Sequence, residues 1–391
     1  MTQKMPTLNR WGLAAASLIL ALAIALPGTV AADMPASAKK AIKKYKLTPD
    51  LLANWEDEHK LPAGWLAAAK KEGEVKITGS WRPNQWERMV APFKERYPFI
   101  KVNYWRGSRN TRVQAPLIAF REGRFITDIV TGIDSNIDQF KQANALADLS
   151  DVPNLKNIPV KISGNAKKWA GIRIRYYCMS YNTDRVKKAD LPKRWDDLRT
   201  SPKFHDGKLG LWYGVASWLL PLWGEKGPAW GTRFIHDLYD EVKPQRRKEG
   251  ATALVKLVGA GEFNGVLATA AYHVERLQKK GAPVALHCAD TVMMTSSSVG
   301  LLKGNPHMHS AKMFLNWLLS KEGQLSQYRY SGAPPLHKDL QRREFIPFPD
   351  EIIGKTIAFR SPALLGQPLN DLFKVWRPRW DGSGGPKGKG R

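Results

Sequence analysis

The stretch Gly171-Ile-Arg-Ile-Arg-Tyr-Tyr-Cys-Met-Ser-Tyr-Asn-Thr-Asp184 decides how the rest of the chain is interpreted. Two isoleucines alternate with Arg173 and Arg175, and this period of two is typical of a β-strand. Asn182-Thr-Asp184 follows with residues that favour turns and helix caps. The pattern predicts a strand that leaves one lobe, enters a second and delivers the chain into a turn. We interpret it as the crossing at a hinge, with ligand bound beside it.

Length and composition favour a globular protein of two lobes. The chain has 391 residues, more than one hydrophobic core usually organises. Hydrophobic residues make up 43%, which excludes an extensively disordered chain. The net charge of +26 favours anions or polyanions as partners. Because the charge is spread along the chain, a general adaptation of the surface, for example to an acidic medium, explains it equally well.

The N-terminus is typical of a secretory signal peptide. Two basic residues precede the apolar stretch Trp11–Leu26, which is short for a membrane span. Pro27 ends this stretch, and Val30-Ala-Ala32 offers the small residues that signal peptidase requires. We expect residues 1–32 to be removed after Ala32 and the mature chain to be exported. An uncleaved anchor is the alternative. Export makes a disulfide between Cys178 and Cys288 possible, although two inert buried thiols fit equally well.

The predicted elements outline an α/β protein. Residues 33–68 are expected to form a helical N-terminal extension, packed on the first lobe or tethered to it. Strands and helices then alternate, which predicts a parallel sheet. Lobe 1 is expected to comprise residues 69–178 and 291–380, and lobe 2 residues 179–290.

The return to lobe 1 is predicted as a polar connector followed by a strand. The connector is Asp290–Ser298 and the strand is Val299–Lys303. Asn305 and Pro306 are expected to begin a well-marked helix. Residues 381–391 are rich in glycine and lysine and are predicted to be a disordered basic tail.

Short polar loops directly follow several of the predicted strands. In open parallel sheets, ligands bind at the carboxyl ends of strands, where these loops lie. Arginines at 82, 106 and 109 are suited to bidentate contacts with a carboxylate or phosphate, and aromatic side chains to stacking on an organic body. Taken alone, the composition of each loop is also typical of an ordinary turn between a strand and a helix. The candidate ligand-binding residues in these loops are Ser80, Trp81, Arg106, Ser108, Thr131 and Tyr213.

The usual signatures of catalysis and metal binding are missing from the sequence. There is no Gly-x-Ser-x-Gly, His-Glu-x-x-His or Walker-type loop. Gly259–Gly265 is one residue too long for a dinucleotide fingerprint and follows a predicted helix. His307 and His309 lack accompanying acids or thiols, and we interpret them as surface histidines. We expect a protein that is not an enzyme and holds neither cofactor nor resident metal.

Several segments resemble a known family. They are Ala67-Ala-Ala-Lys-Lys-Glu-Gly-Glu-Val-Lys-Ile77, Tyr181–Val186, Leu191–Leu198 and Trp317–Gln324. In this order they resemble the type II periplasmic solute-binding proteins of ABC importers, also called extracellular solute-binding protein family 1. The nearest group binds ferric iron, thiamine, phosphonates or organic phosphates. The resemblance implies two α/β lobes joined by crossover hinge strands, ligand in the cleft between them, a periplasmic location, and an ABC permease of the inner membrane as partner.

Iron is the point where the sequence departs from this group. Its ferric binders place two adjacent tyrosines after a Gly-Glu strand, whereas Tyr272 here follows Ala271. Because Fe(III) needs several anionic oxygen ligands, we favour a small anionic organic or oxyanion solute, with Tyr272 as a seventh candidate residue. Tyr176 and Tyr177 are adjacent on the crossing strand, so at most one of them reaches the cleft. Iron(III) with a bound anion, and an exported polyanion-binding or sensory protein, are the alternatives; nucleic acid is not an expected partner.

Overall fold

The structure is a computed structural model that describes residues 34–108, 110–160 and 167–382. The predicted signal peptide, Arg109 and the tail beyond Gly382 lie outside these residues. The strands are β1 (Glu74–Gly79), β2 (Lys101–Arg106), β3 (Ile129–Thr131), β4 (Ala170–Asn182), β5 (Leu209–Trp212), β6 (Gln245–Arg247), β7 (Gly265–Ala270), β8 (Val284–His287), β9 (Val292–Leu301) and β10 (Ile357–Phe359). The α-helices are α1 (Ala36–Tyr45), α2 (Pro49–Leu52), α3 (Trp65–Glu72), α4 (Pro83–Arg96), α5 (Ala115–Arg121), α6 (Ile137–Gln142), α7 (Val215–Lys226), α8 (Pro228–Asp237), α9 (Ala251–Gly259), α10 (Ala271–Gln278), α11 (Met308–Leu319), α12 (Lys321–Ser331), α13 (Pro349–Ile352) and α14 (Gln367–Gly382).

The described strands form one mixed sheet in the order β2-β1-β3-β9-β4-β7-β5-β6. At one end β1 pairs in parallel with β2 and β3, and at the other β5 pairs in parallel with β6 and β7. The two parallel halves are joined by β4 and β9, which pair antiparallel with each other. This arrangement confirms the predicted α/β fold with two lobes.

Strand β4 crosses from one half of the sheet to the other. Its residues 170–177 pair with β9, and its last residues pair with β7 and β8. Strand β9 in turn ends beside β3. The predicted crossover strands are therefore confirmed, while the lobe boundaries at 178–179 and 290–291 stay a prediction.

Three local predictions are wrong. The expected connector Asp290–Ser298 is mostly strand, because the backbone of the hydroxyl-rich run 295–298 pairs with β4 along the crossing. The helix expected at Leu191–Leu198 is instead a 3₁₀ segment, Trp195–Thr200. Helix α11 begins at Met308, because the Asn305 side chain accepts a hydrogen bond from the backbone N–H of His307 in the turn before it.

The N-terminal extension packs against lobe 1. Ala38, Leu51 and Trp55 share an apolar cluster with Leu325 and Phe345. Buried ion pairs join the same elements, since Arg96 of α4 lies 2.8 Å from Glu56 and 2.7 Å from Glu322 of α12. The extension is thus part of the folded unit. At the opposite end of the chain, α14 continues to Gly382, so the first two residues of the predicted tail are helical.

Cys178 and Cys288 form a disulfide, with their Cα atoms 4.8 Å apart. The bond ties β4 to the segment that connects β8 with β9, and so joins the two crossing strands near one end. The sequence had left this pairing open.

Replacing both cysteines by alanine is expected to lower the free energy of unfolding by about 2–4 kcal/mol, because the bond closes a loop of 110 residues in the unfolded chain. Urea denaturation of the oxidised protein and of the double variant measures this difference. Dithiothreitol should destabilise the native protein and leave the variant unchanged; an equal response of both would contradict the prediction.

Candidate functional site

Two arginines, Arg173 and Arg175, lie at alternate positions of the crossing strand β4. Arg173 is 7% exposed, and Arg175 is half-buried. Ile172, Ile174 and Tyr176 belong to the main hydrophobic core. Because successive residues of a strand point to opposite faces, the arginines lie on the other face of β4, away from that core.

Arg173 is held by the loop that follows β1. Its Nη2 donates a hydrogen bond of 3.0 Å to Ser80 Oγ, and its guanidinium carbon lies 5.0 Å from the centre of the Trp81 ring. The buried Nε atom has no hydrogen-bond partner among the described residues. Burial, together with the charge of Arg175, lowers the pKa of Arg173 to about 10. The group therefore stays charged near neutral pH.

Arg175 is held by the tyrosine that begins α10. Burial opposes its charge, but Tyr177, Tyr272 and Asp134 outweigh this effect and raise its pKa above the ordinary value. Tyr272 also hydrogen-bonds the guanidinium group. Asp134 is itself positioned by a hydrogen bond, since its Oδ1 accepts one from the backbone N–H of Ser298 at an N–O distance of 2.6 Å.

A second pair of arginines completes the site. Arg82 directly precedes α4, and Arg276 lies on α10. Arg276 Nη2 donates to His273 Nδ1 at 3.2 Å. Burial, and then the charges of these two arginines and of Arg173 and Arg175, lower the pKa of His273 to about 3. The imidazole is therefore neutral and accepts this hydrogen bond at Nδ1.

Arg82, Arg173, Arg175 and Arg276 together are called the arginine cluster. Nearby charges shift pKa values, and the charges of all four arginines lower the pKa of His273. Within the described residues, none of them forms an ion pair with a carboxylate, although Asp134 acts on Arg173 and Arg175 from a greater distance. Such a concentration of unneutralised guanidinium groups has the chemistry of an anion-binding site.

Further polar atoms surround the cluster. Thr295 pairs with Arg175 across the β4–β9 ladder, and its hydroxyl is buried with no partner among the described residues. Tyr177 stacks on Trp212 with ring centres 6.2 Å apart. The Nε1 of Trp212 is likewise buried without a partner in the part of the chain that the structure describes.

A cavity of about 200 Å³ adjoins the cluster through Asp134. On one side it is lined by elements around α6, including Asp138, Lys141 and Trp169. The other side is formed by the C-terminal turn 362–366. The cavity offers a small organic group both polar contacts and an aromatic ring.

The structure brings three of the seven predicted residues to the arginine cluster. Ser80 and Trp81 contact Arg173, and Tyr272 contacts Arg175. Trp81 is buried, and packs on Trp86 and Tyr104 as well.

The other four predicted residues lie elsewhere. Arg106 and Ser108 are exposed, and the Ser108 hydroxyl bonds to that of Thr111 at 3.1 Å. Thr131 is buried and donates to the carbonyl of Thr78 at 3.0 Å. Tyr213 is 51% exposed. No hydrogen bond or ion pair within the described residues joins these four to the cluster, and their role in binding stays a prediction.

Three principal residues of the site were not predicted from sequence: Arg173, Arg175 and Arg276. The sequence did contain a signal for Arg173 and Arg175, because arginines at alternate positions of an otherwise apolar strand are expected to face a polar environment. The interpretation of His307 as a surface histidine is wrong. Its ring is 12% exposed and lies 3.0 Å from Asp128 and 3.2 Å from Glu74.

The comparisons with known proteins agree with this architecture. A profile described as bacterial extracellular solute-binding protein matches residues 76–325. The chain belongs to this family. Members of the family are solute-binding subunits of ABC importers and not enzymes, and they act outside the cytoplasm. No helix among the described residues is long and apolar enough to span a membrane.

Solved structures similar to this solute-binding protein share its fold at low sequence identity. Iron-bound HitA from Pseudomonas aeruginosa has a TM-score of 0.65 at 21% identity, covering 78% of this chain and 99% of that one. The Trichodesmium protein IdiA (FutA), in complex with iron and citrate, has a TM-score of 0.64 at 19% identity and the same coverage. The periplasmic binding protein P5PA has a TM-score of 0.61 at 18% identity, again with coverage of 78% and 99%.

A curated relative matches part of the solute-binding protein by sequence. It is an uncharacterized protein of Haemophilus influenzae, 32% identical over 155 residues. The match covers 37% of this chain and spans 42% of the relative, less than half of its length.

Proposed function

We propose that this protein captures a small anionic solute in the cleft between its lobes and delivers it to an ABC permease of the inner membrane. The arginine cluster supports the proposal, because four guanidinium groups act on the same histidine and none forms an ion pair with a carboxylate among the described residues. The planar guanidinium fork matches two oxygens of a carboxylate or phosphate. Such a solute supplies the negative charge that the protein itself does not place beside these groups.

The cluster draws on elements that adjoin both halves of the sheet and on the crossing strand between them. Ser80 and Arg82 come from the loop after β1, while Tyr272 and Arg276 come from α10. An anion bound to all of them contacts both halves of the sheet at once. Because a ligand shifts a conformational equilibrium only as far as it prefers one state, contacts to both halves favour the closed form over the open one.

The cavity beside Asp134 supports an organic anion. Its volume of about 200 Å³ accommodates a body larger than the charged group alone. Trp169 offers an aromatic face, and Asp138 and Lys141 offer hydrogen bonds. A solute with an oxyanion at one end and a polar organic body therefore fits both parts of the site.

Iron(III) held with a bound anion is the second candidate. Tyr272 favours it as an oxygen ligand beside the cleft, and two structural relatives are described as holding iron. The four nearby positive charges oppose a bare trivalent cation, so the anion would need to bind first. Ferric citrate tests this candidate, since iron bound through a tyrosine oxygen gives a visible charge-transfer colour.

A thermal-shift screen of the purified protein tests the proposal. We expect an organic carboxylate, phosphate or phosphonate to raise the melting midpoint by mass action, and neutral or cationic analogues to have no effect. Ferric citrate is included in parallel. A rise with ferric citrate alone, accompanied by colour, would replace the anionic solute by iron.

Replacing Tyr272 by phenylalanine is expected to weaken binding of the anion found in the screen by about 5–10-fold, because one hydrogen bond that orients Arg175 is lost. Isothermal titration calorimetry measures the change. Tyr97→Phe is the matched comparison, since this ring packs on Phe93 and Phe99 and is not a candidate binding residue. An equal loss in both variants would contradict the assignment of Tyr272.

A further inference from the structure

Helix α1 in the N-terminal extension presents a face made of lysines. Lys39, Lys40, Lys43, Lys44 and Lys46 are all exposed. With 100° of rotation per residue, the four lysines within α1 cover an arc of about 140° on one side of the helix, and Lys46 follows directly after its last residue. Residues 34–49 contain no aspartate or glutamate, and within the described residues none of the five lysines forms an ion pair.

The opposite face of α1 is covered by protein. Ala38 and Ala41 are buried, and the ring of Tyr45 packs 5.6 Å from that of Tyr328 on α12. The backbone N–H of Ser37 donates to Glu95 at 3.1 Å. The helix is therefore fixed in orientation, and its lysine face points to solvent as a rigid surface.

Helix α12 links α1 to α10, the helix that carries Tyr272 and Arg276. Tyr45 of α1 packs on Tyr328 of α12. Gly332, which directly follows α12, lies against Tyr272, since a β-carbon built on it would be 3.4 Å from the Tyr272 Cβ atom. The end of α1 is thus joined through one helix to residues of the candidate site.

We propose that the lysine face of α1 docks the protein on a surface of anionic phospholipid headgroups. Lysines attract such a surface additively and without requiring a fixed geometry. The face has no aromatic or apolar anchor, and such anchors dominate most protein–protein interfaces. Because the apolar side of α1 is covered, docking is electrostatic and reversible and involves no insertion. It would hold the candidate site close to the membrane that contains the permease.

Vesicle sedimentation of the protein purified from the periplasm of an expression host tests this proposal. The vesicles contain either phosphatidylcholine alone or phosphatidylcholine with about one-third phosphatidylglycerol. We expect binding to the anionic vesicles at about 50 mM NaCl and release at about 300 mM, because salt screens exposed charges. Binding to the neutral vesicles would overturn the electrostatic mechanism.

Two variants, each losing four positive charges, distinguish binding through the lysine face from attraction by the total charge of +26. Lys39→Gln/Lys40→Gln/Lys43→Gln/Lys44→Gln is expected to weaken vesicle binding by at least about tenfold. The control changes four exposed lysines of the predicted second lobe, in Lys187→Gln/Lys188→Gln/Lys193→Gln/Lys203→Gln, and is expected to remain within about threefold of the native protein. Equal losses would overturn the proposal, as would binding only to membranes that contain the permease. Unchanged melting midpoints show that both variants fold, and the result does not depend on which solute the cleft binds.

Discussion

Replacing Arg175 by methionine is expected to weaken binding of the captured anion by about 100-fold, equivalent to about 3 kcal/mol. Arg175 lies on the crossing strand, hydrogen-bonds Tyr272, and forms no ion pair with a carboxylate in the described residues. A charge-assisted, bidentate contact to an oxyanion is among the stronger interactions that a side chain offers. Calorimetric titration with the solute identified by thermal shift measures the loss.

The stability of the same variant distinguishes a binding role from a structural one. A guanidinium group buried without a carboxylate partner costs desolvation energy, so an apolar side chain of similar length should leave the melting midpoint equal or higher. Arg121→Met, at an exposed position of α5, is the matched control and should change neither quantity. Affinity within twofold of the native protein would remove Arg175 from the site.

Replacing Glu322 by alanine is expected to lower the free energy of unfolding by about 3–4 kcal/mol. The carboxylate is 1% exposed and lies 2.7 Å from Arg96, whose side chain is 3% exposed. Burial by itself would lower the pKa of Arg96, whereas the hydrogen bonds that it donates to Glu322 and Glu56 raise it. Removing Glu322 leaves this buried charge with Glu56 as its remaining partner, and also takes the hydrogen-bond acceptor from Trp317 Nε1.

Urea denaturation compares this variant with Glu87→Ala. Glu87 pairs with Lys94 at 2.8 Å, but its side chain is 63% exposed, and a pair of that kind contributes about 0–1 kcal/mol. A loss of less than about 1 kcal/mol for Glu322→Ala would show that the buried network does not hold the N-terminal extension to lobe 1.

The crossing strand could be predicted because its signal is local. The period of two over Gly171–Asp184, followed by turn residues, defines a long strand without knowledge of its neighbours. The loop between β1 and α4 was predicted to face the cleft because it directly follows a strand. Ser80 and Trp81 were therefore named as candidates, although Arg173, which both of them contact, was not.

The remaining features depend on contacts that are distant in sequence. Arg276 comes to the cluster only because α10 packs against β4, which lies far earlier in the sequence. The hydroxyl-rich run 295–298 resembles a connector until its pairing with β4 is known. In the same way, the hydrogen bond between Arg96 and Glu322 joins residues that are 226 positions apart in the sequence, and no local pattern indicates it.

The placement of the arginine cluster also affects how fast a solute is captured. Several positive groups gathered at one site create a field that steers approaching anions toward it. The association rate constant should therefore be high and should fall steeply as salt is added. The dissociation rate constant depends on contacts already shielded from solvent, so it should change little. Selection for anions would thus begin during the diffusional encounter, before the lobes close.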